Sequence, residues 1–395
     1  MECFTGKRIL CTQPRKLAAT SLATRVAFEF SAGFKDAKVG RDVGFRVSGS
    51  YKYLRRTRIE FVTEAILLDM IIKARVAGTS SENPFANVGC VVIDEAHERS
   101  INCDLVMGSF KEAHPNWQDV KVVVTSATID LAMFSSFYDN APVVEIEGRM
   151  FPVDLNYIPA GRDGMLDATH VVAAVAEAAV TVHQHFTDPS DGDVLRFLPG
   201  QDDVLRAKQH FEKIIAKNAK QAGTLDSVVA HALYGKQDPD EQAEVLKKYT
   251  GAASQRKRKV IFSTNIAETS VTIDGVAFVV DSGLMKGVVY DPIRNMTSLK
   301  VHAISRSSAI QRMGQAGRTQ PGKCFRLYSI KDYNEMEVGS VAEIFQQPLS
   351  LALLTLHHIG IDPRHFAWIQ SPNDAAMAQA EEELTFLGAI DASKQ

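Results

Sequence analysis

Long apolar runs are missing: nowhere among the 395 residues do 18 or more apolar side chains follow one another, so no stretch suits a membrane-crossing helix. The first ten residues, MECFTGKRIL, show neither a separate apolar core nor a small-residue cleavage site, so nothing marks the chain for export and no membrane partner is expected. Cysteine is scarce. The five, Cys3, Cys11, Cys90, Cys103 and Cys324, are scattered and lack CxxC spacing, which argues against metal or disulfide roles and reads as reduced core thiols of an intracellular protein. Net charge is also small, −3, which argues against a basic protein that simply coats nucleic acid but leaves room for a local phosphate-binding groove. Repeats and low-complexity segments are absent. The 45% hydrophobic content suffices for about two or three ordinary cores.

What is present is organised around Cys90 to Ser100, CVVIDEAHERS. Its unbroken apolar opening is the pattern of a strand buried on both faces of a parallel sheet, and it ends in Asp94, Glu95 and His97. Ligands of open α/β sheets sit beyond the carboxyl ends of the strands, and adjacent carboxylates there suit a hydrated Mg²⁺ and an attacking water. Upstream, Lys7 to Thr12 reads as a strand broken by Gln13-Pro14-Arg15-Lys16 before a helix from Leu17. Gly6-Lys7 invites comparison with a phosphate-binding loop, but no GxxxxGK[ST] precedes it. Arg58 to Thr63 is a further strand before the helix AILLDMIIKA, with Arg55, Arg56 and Arg58 clustered as a solvated basic face, and Val120 to Val124 ends in the hydroxyl-rich TSAT. Strands alternating with helices predict a parallel sheet with helices on both faces.

Pro142, Gly148 and Pro152 place a domain boundary near 145–152. A second series follows: a helix over Leu166 to Phe186, the strand Val194 to Gly200, a helix from about Asp202, strands at Val228 to Tyr234, Val260 to Ser263 and Val276 to Val280, and a helix over Asp238 to Tyr249. Arg196 is an odd charge in the middle of its strand, tolerable if its head reaches an edge. Arg256 to Lys259, RKRK, reads as a solvated loop or a targeting signal. Two β-rich arms around Asp291-Pro292 predict a hairpin over about 285–303. Beyond 335 the pattern becomes helical, at Leu349 to Ile359 and Ala375 to Leu387. The expected layout is 1–147, 148–335 and a partial module at 336–395.

Seven segments stand in a telling order: TQPRK (Thr12 to Lys16), Val62-Thr63-Glu64, DEAH (Asp94 to His97), SAT (Ser126 to Thr128), FLPGQDD (Phe197 to Asp203), FSTNIAETSVTIDG (Phe262 to Gly275) and QRMGQAGRT (Gln311 to Thr319). Over nearly its whole length the chain resembles a DEAH-box RNA helicase of superfamily 2. The resemblance implies an α/β fold of tandem RecA-like domains with parallel sheets that close on ATP and move along RNA, followed by the start of a winged-helix-like module. By the same resemblance, Asp94 holds Mg²⁺ through water and Glu95 orients and deprotonates the attacking water. His97 couples nucleotide state to Ser126 and Thr128. Ser270, Asp274, Gln311 and Arg318 reach the nucleotide from the second domain, Arg318 as an arginine finger. Arg15, Thr63, Thr264 and Asn265 contact the RNA backbone, which positions without reading sequence. The hairpin resembles the family's strand-separating wedge.

The sequence departs from the family pattern in several places. The phosphate loop expected ahead of KRILCT does not occur, position 315 is Gln where QRxGRAGR has Arg, Leu246 stands where a base-stacking Phe is expected, and the family's ratchet and OB-fold regions are not reached. Losing an arginine finger costs about 10³ or more in rate. The expectation is therefore an RNA-dependent ATPase and helicase by descent, with little or no ATP turnover by these residues alone. A non-catalytic RNA-binding scaffold and a DNA helicase of the same superfamily are the alternatives. Ribonucleoproteins and an activator protein are candidate partners, and family analogy allows the nucleus or the cytoplasm.

Overall fold

The computed structural model describes residues 6–30, 38–76, 83–112, 114–127, 131–146, 148, 151–159, 169–186, 188–222, 228–247, 257–269, 273–291 and 294–391. The chain divides into two compact units, one of residues 1–145, 288–298 and 341–395, the other of 146–287 and 299–340.

In the first unit the strands are β1 (Arg8–Gln13), β2 (Val43–Val47), β3 (Ser50–Lys52), β4 (Ile59–Thr63), β5 (Val88–Ile93) and β6 (Lys121–Val124), in the order β3-β2-β4-β1-β5-β6. All pairings are parallel except that of β2 with β3. The helices are α1 (Lys16–Phe30), α2 (Glu64–Val76), α3 (Ile101–Lys111) and α4 (Leu131–Phe137). Side chains alternate along a strand, so each sheet face collects its own core. Leu10 and Val62 join α2 and α3, whereas Phe61 and Ile59 join Ala19, Ala23 and Ala27 of α1. The alanines let α1 approach the sheet closely.

Residues 341–395, read from sequence as the start of a further module, cluster with this unit. Their helices α10 (Ser350–His358) and α11 (Asp374–Phe386) bury Leu349, Leu353, Met377 and Leu384 together. Ala352, Leu356 and Phe366 enter the core of the first sheet. Gly108 of α3 makes this possible, since a Cβ there would stand 2.3 Å from the Phe366 ring.

The second unit contains β7 (Val153–Tyr157), β8 (Asp193–Phe197), β9 (Val228–Leu233), β10 (Arg258–Ser263), β11 (Val276–Asp281) and β14 (Gly322–Arg326), ordered β7-β14-β11-β8-β10-β9 and all parallel. Its helices are α5 (Val171–His185), α6 (Gln201–Ala222), α7 (Pro239–Leu246), α8 (Arg306–Gly314) and α9 (Ile330–Glu335). The hairpin strands are β12 (Leu284–Asp291) and β13 (Met296–Ala303); Pro292 lies outside the described residues. The α/β fold with parallel sheets is the one the motif order implied.

Two basic residues sit differently from their sequence reading. Arg258 and Lys259 are not loop: they open β10, and Arg258 is fully buried. Its guanidinium donates to Gly192 O at 2.9 Å and to the carbonyls of Phe186 and Asp188, so the loop before β8 wraps the charge with oxygens. Arg196 does not reach an edge, because β8 is central and covered on both faces. Its Nη1 donates to Val175 O at 3.0 Å, and its guanidinium lies 5.3 Å from the Phe262 ring and 5.8 Å from Phe211. Among the described residues Nε and Nη2 have no partner, and burial pushes the group's pKa well down. A buried charge held by ring faces and one carbonyl is poorly compensated. Arg196→Met should therefore raise the stability of this unit by about 1–3 kcal/mol, read from the urea midpoint, and a lowered midpoint would show that the rings and Val175 compensate the charge fully.

Candidate functional site

In the first unit the Asp94 carboxylate stands at the end of β5. Gln13 Nε2 donates to Oδ2 at 2.6 Å, while Thr125 Oγ1 and the Glu95 N–H, at 3.0 Å, donate to Oδ1. The Asp94 N–H donates to Thr12 Oγ1 at 3.2 Å. All these donors are neutral, and among the described residues no basic side chain pairs with Asp94. A carboxylate fixed this way is oriented without a basic partner competing with a cation. Among the described residues no three His, Cys, Asp or Glu side chains converge as a metal cage, so a metal here would lean on phosphate and water for its other ligands.

Beyond Asp94 the backbone makes a single 3-10 turn, Ala96–Glu98, bounded by two left-handed residues, Glu95 (φ 56°) and Arg99 (φ 49°). Such a conformation costs a non-glycine residue roughly 1–2 kcal/mol, so neighbours must hold it. Ala96 N–H donates to Thr125 O at 3.0 Å. His97 Nδ1 accepts from the Ala127 N–H at 3.3 Å, which leaves the ring proton on Nε2, 3.4 Å from Glu95 Oε2. The ring thus links the Glu95 carboxylate to the segment that contains Ser126. Arg15 Nη2 lies 3.6 Å from Glu98 Oε2.

The turn runs into α3, whose cap Ser100 accepts from the Cys103 N–H at 3.0 Å and donates to Glu64, the first residue of α2. Glu64 is buried, its Oε1 has no partner among the described residues, and burial, reinforced by the charges of Glu98, Glu343 and Asp104, pushes its carboxyl from 4.5 up to about 7 despite the Ser100 hydroxyl. Arg99 forks onto Asp104 at 2.8 and 2.9 Å.

In the second unit, Arg312 of α8 is buried, donating to Glu268 Oε2 at 2.9 Å and Asp281 Oδ1 at 2.8 Å, with its guanidinium 4.8 Å from the Phe197 ring. Burial opposes its charge, but the two carboxylates outweigh that and raise its pKa. Tyr328 donates to the other Asp281 oxygen at 2.9 Å. On this scaffold stand Gln311, half-buried, and Arg318, exposed just after the 3-10 turn Gln315–Gly317. Gln315, expected to leave an arginine-finger position empty, points inward: it is 2% exposed and its Nε2 donates to Glu268 O at 2.6 Å. Thr264 and Asn265 follow the end of β10, and Asp274 precedes β11, all half-buried.

The helicase conserved C-terminal domain model matches residues 178–320. The chain is 37% identical over 97% of its length to the probable ATP-dependent RNA helicase DHR2 of Saccharomyces cerevisiae, and 36% identical over 98% to the ATP-dependent RNA helicase DEAH11 (chloroplastic) of Arabidopsis thaliana. It superposes on the crystal structure of Escherichia coli DEAH/RHA helicase HrpB with a TM-score of 0.80 at 31% identity, covering 98% of this chain. The chain belongs to the DEAH-box helicases. It spans 49% of the yeast protein, 20% of the plant protein and 45% of the bacterial chain.

Of the DEAH-box residues singled out by sequence, the structure joins Asp94, Glu95 and His97 to the Ser126 segment in one unit, and sets Gln311 and Arg318 on one helix and its exit in the other. Thr63 is buried at the end of β4, level with Gln13, and Leu246 is the half-buried last residue of α7. Thr128 and Ser270 lie outside the described residues. Gln13, Thr125, Glu64 and Ser100 were not assigned roles from sequence, although all four fall within or beside the quoted segments. Because the folded Glu64 carboxyl keeps its proton to higher pH than an unfolded one, the folded state binds more protons between 4.5 and about 7 and loses stability as pH rises through that window. Glu64→Gln should flatten this slope in urea titrations across the window; an unchanged slope would assign it to other groups.

Proposed function

We propose that these residues are the core of an ATP-dependent RNA helicase that couples nucleoside triphosphate hydrolysis to movement on, or remodelling of, RNA and its protein complexes. The observation that carries this reading is the Asp94 carboxylate, held by neutral donors at a strand's end, with Glu95 turned out beside it by a left-handed backbone. The names of the yeast and plant relatives support ATP and RNA as ligands.

Asp94 would hold Mg²⁺ through water, and the ion would supply charge neutralisation at the phosphates. Glu95 accepts the proton of the attacking water. The His97 Nε2–H faces that carboxylate and fixes its direction, so that nucleotide state reaches Ser126 and Thr128. Gln311 and Asp274 orient the nucleotide from the second unit with Ser270, and Arg318, exposed and preceded by a rigid buried turn, meets the charge that develops on the phosphoryl group. Arg15, Thr264 and Asn265 hold the sugar-phosphate backbone, to which the buried Thr63 offers little surface. Single-stranded RNA is the expected loading strand, and a reducing compartment suits the free thiols Cys11, Cys90, Cys103 and Cys324.

No GxxxxGK[ST] occurs within the 395 residues, and Gln315 is not an arginine finger. These residues by themselves should bind single-stranded RNA with salt-dependent affinity while hydrolysing ATP near background. Fluorescence anisotropy with labelled RNA and a coupled ATPase assay test both halves. Failure to bind RNA at low salt removes the helicase reading; fast RNA-stimulated hydrolysis that Glu95→Gln abolishes keeps it and overturns the expectation of weak turnover.

A further inference from the structure

Glu343 lies 242 residues beyond Ile101 in sequence, yet it grips the backbone on both sides of Ser100. Its N–H donates to Arg99 O at 3.0 Å, and its carboxylate Oε2 accepts from the Ile101 N–H at 3.1 Å. The carboxylate therefore meets the first turn of α3, where unpaired N–H groups favour negative charge. Gln370 adds a second hold: its Oε1 accepts from Arg99 Nη1 at 2.8 Å, beside the two bonds from Arg99 to Asp104. Met133 Sδ lies 3.3 Å from the same Nη1. The next residue after Glu343, Ile344, is buried in the small core of α10 and α11, so the grip is anchored to that core.

Arg99 is the left-handed residue that closes the DEAH turn, and within the turn only the bond from its own N–H to Ala96 O, at 3.2 Å, holds it. A strained backbone persists where its surroundings over-determine it. We infer that residues 341–370 are a positioning clamp on the DEAH turn, with Glu343 fixing the backbone of Arg99 to Ile101 and Gln370 fixing the Arg99 side chain, so that the direction of Glu95 depends on the C-terminal segment. The consequence for hydrolysis rests on the role proposed for Glu95; the clamp itself does not. A displacement of the helices at 350–386 would be felt at Glu95 through Glu343, which makes Glu343 a positioning residue with no contact to nucleotide.

Amide hydrogen exchange of the 395-residue chain, followed by mass spectrometry, tests the clamp without any hydrolysis. Glu343→Ala should speed exchange in peptides covering 94–101 by at least about tenfold, since it removes the carboxylate's bond to α3, while peptides from β8 and β10 stay unchanged. Glu343→Gln keeps an acceptor oxygen and should retain most of the protection. Val43→Ala, which loosens the core on the opposite sheet face, serves as a control at a matched urea midpoint and should leave 94–101 protected. Gln370→Ala, at an exposed position that folding tolerates, should give a smaller, several-fold rise and decides the matter if Glu343→Ala does not fold. Protection unchanged in Glu343→Ala or Gln370→Ala, equal opening in Val43→Ala, or Glu343→Gln behaving like Glu343→Ala would each overturn the clamp.

Discussion

An ionised carboxylate at the mouth of a buried strand has to be solvated by something, and how Asp94 is solvated determines the layout around it. Its oxygens take donors from the strands on either side of β5. The register makes this possible: Thr12 of β1 pairs with Ile93, and Ile93 pairs with Val124 of β6, so Gln13 and Thr125 both arrive level with Asp94. Only a parallel arrangement with β1 and β6 flanking β5 ends three strands together on one edge. Neutral donors fix the carboxylate without discharging it, whereas a lysine or arginine in the same place would neutralise the group that a cation needs. The left-handed turn follows, because the chain must leave the sheet edge within two residues while Ala96 still reaches the Thr125 carbonyl.

Buried guanidinium groups show the same logic at three levels of compensation. Arg312 has two carboxylates and a ring face, and its bonds lock Glu268 and Asp281 to the helix that carries Gln311. Arg258 has carbonyl oxygens from the 186–192 loop, which fastens that loop ahead of β8. Arg196 has rings and one carbonyl, and ties down no neighbouring loop. The first two therefore order segments next to the candidate site, whereas the third carries the desolvation penalty without a comparable structural return. In the first unit Arg99 behaves as Arg312 does, pairing with Asp104 while its backbone is held by Glu343.

Strand and helix positions were largely legible because apolar runs of the right length, punctuated by Pro14, Pro199 and Gly200, are a local signal. So were the motif residues at the strand ends. What no local pattern carries is the partner of a polar residue. Gln13 and Asp94 are 81 positions apart, Glu64 and Ser100 are 36 apart, and each pair exists only because the strand order places them together. The misplacing of Arg196 and Arg258 has the same root, since alternation along one strand says nothing about which neighbours cover it. Thr63 sits within a quoted segment, yet its burial depends on the neighbouring strands and was invisible for that reason.

Gln315 shows how a substitution at a motif position can become part of the interior. Its amide bonds the Glu268 carbonyl, and the Glu268 carboxylate in turn holds Arg312, so the side chain supports the same network that orients α8. A buried arginine at this position would bring a second guanidinium beside the Glu268 carbonyl that Gln315 now satisfies, at a desolvation cost that an outward-turned side chain avoids. The Glu268 carbonyl would then need another donor, since a buried acceptor left unpaired is costly. Glutamine meets the packing demand of the position and gives up the charge. Arg318, three residues on and outside the buried turn, is under no such constraint, and of the two positions it alone is exposed to reach a phosphoryl group.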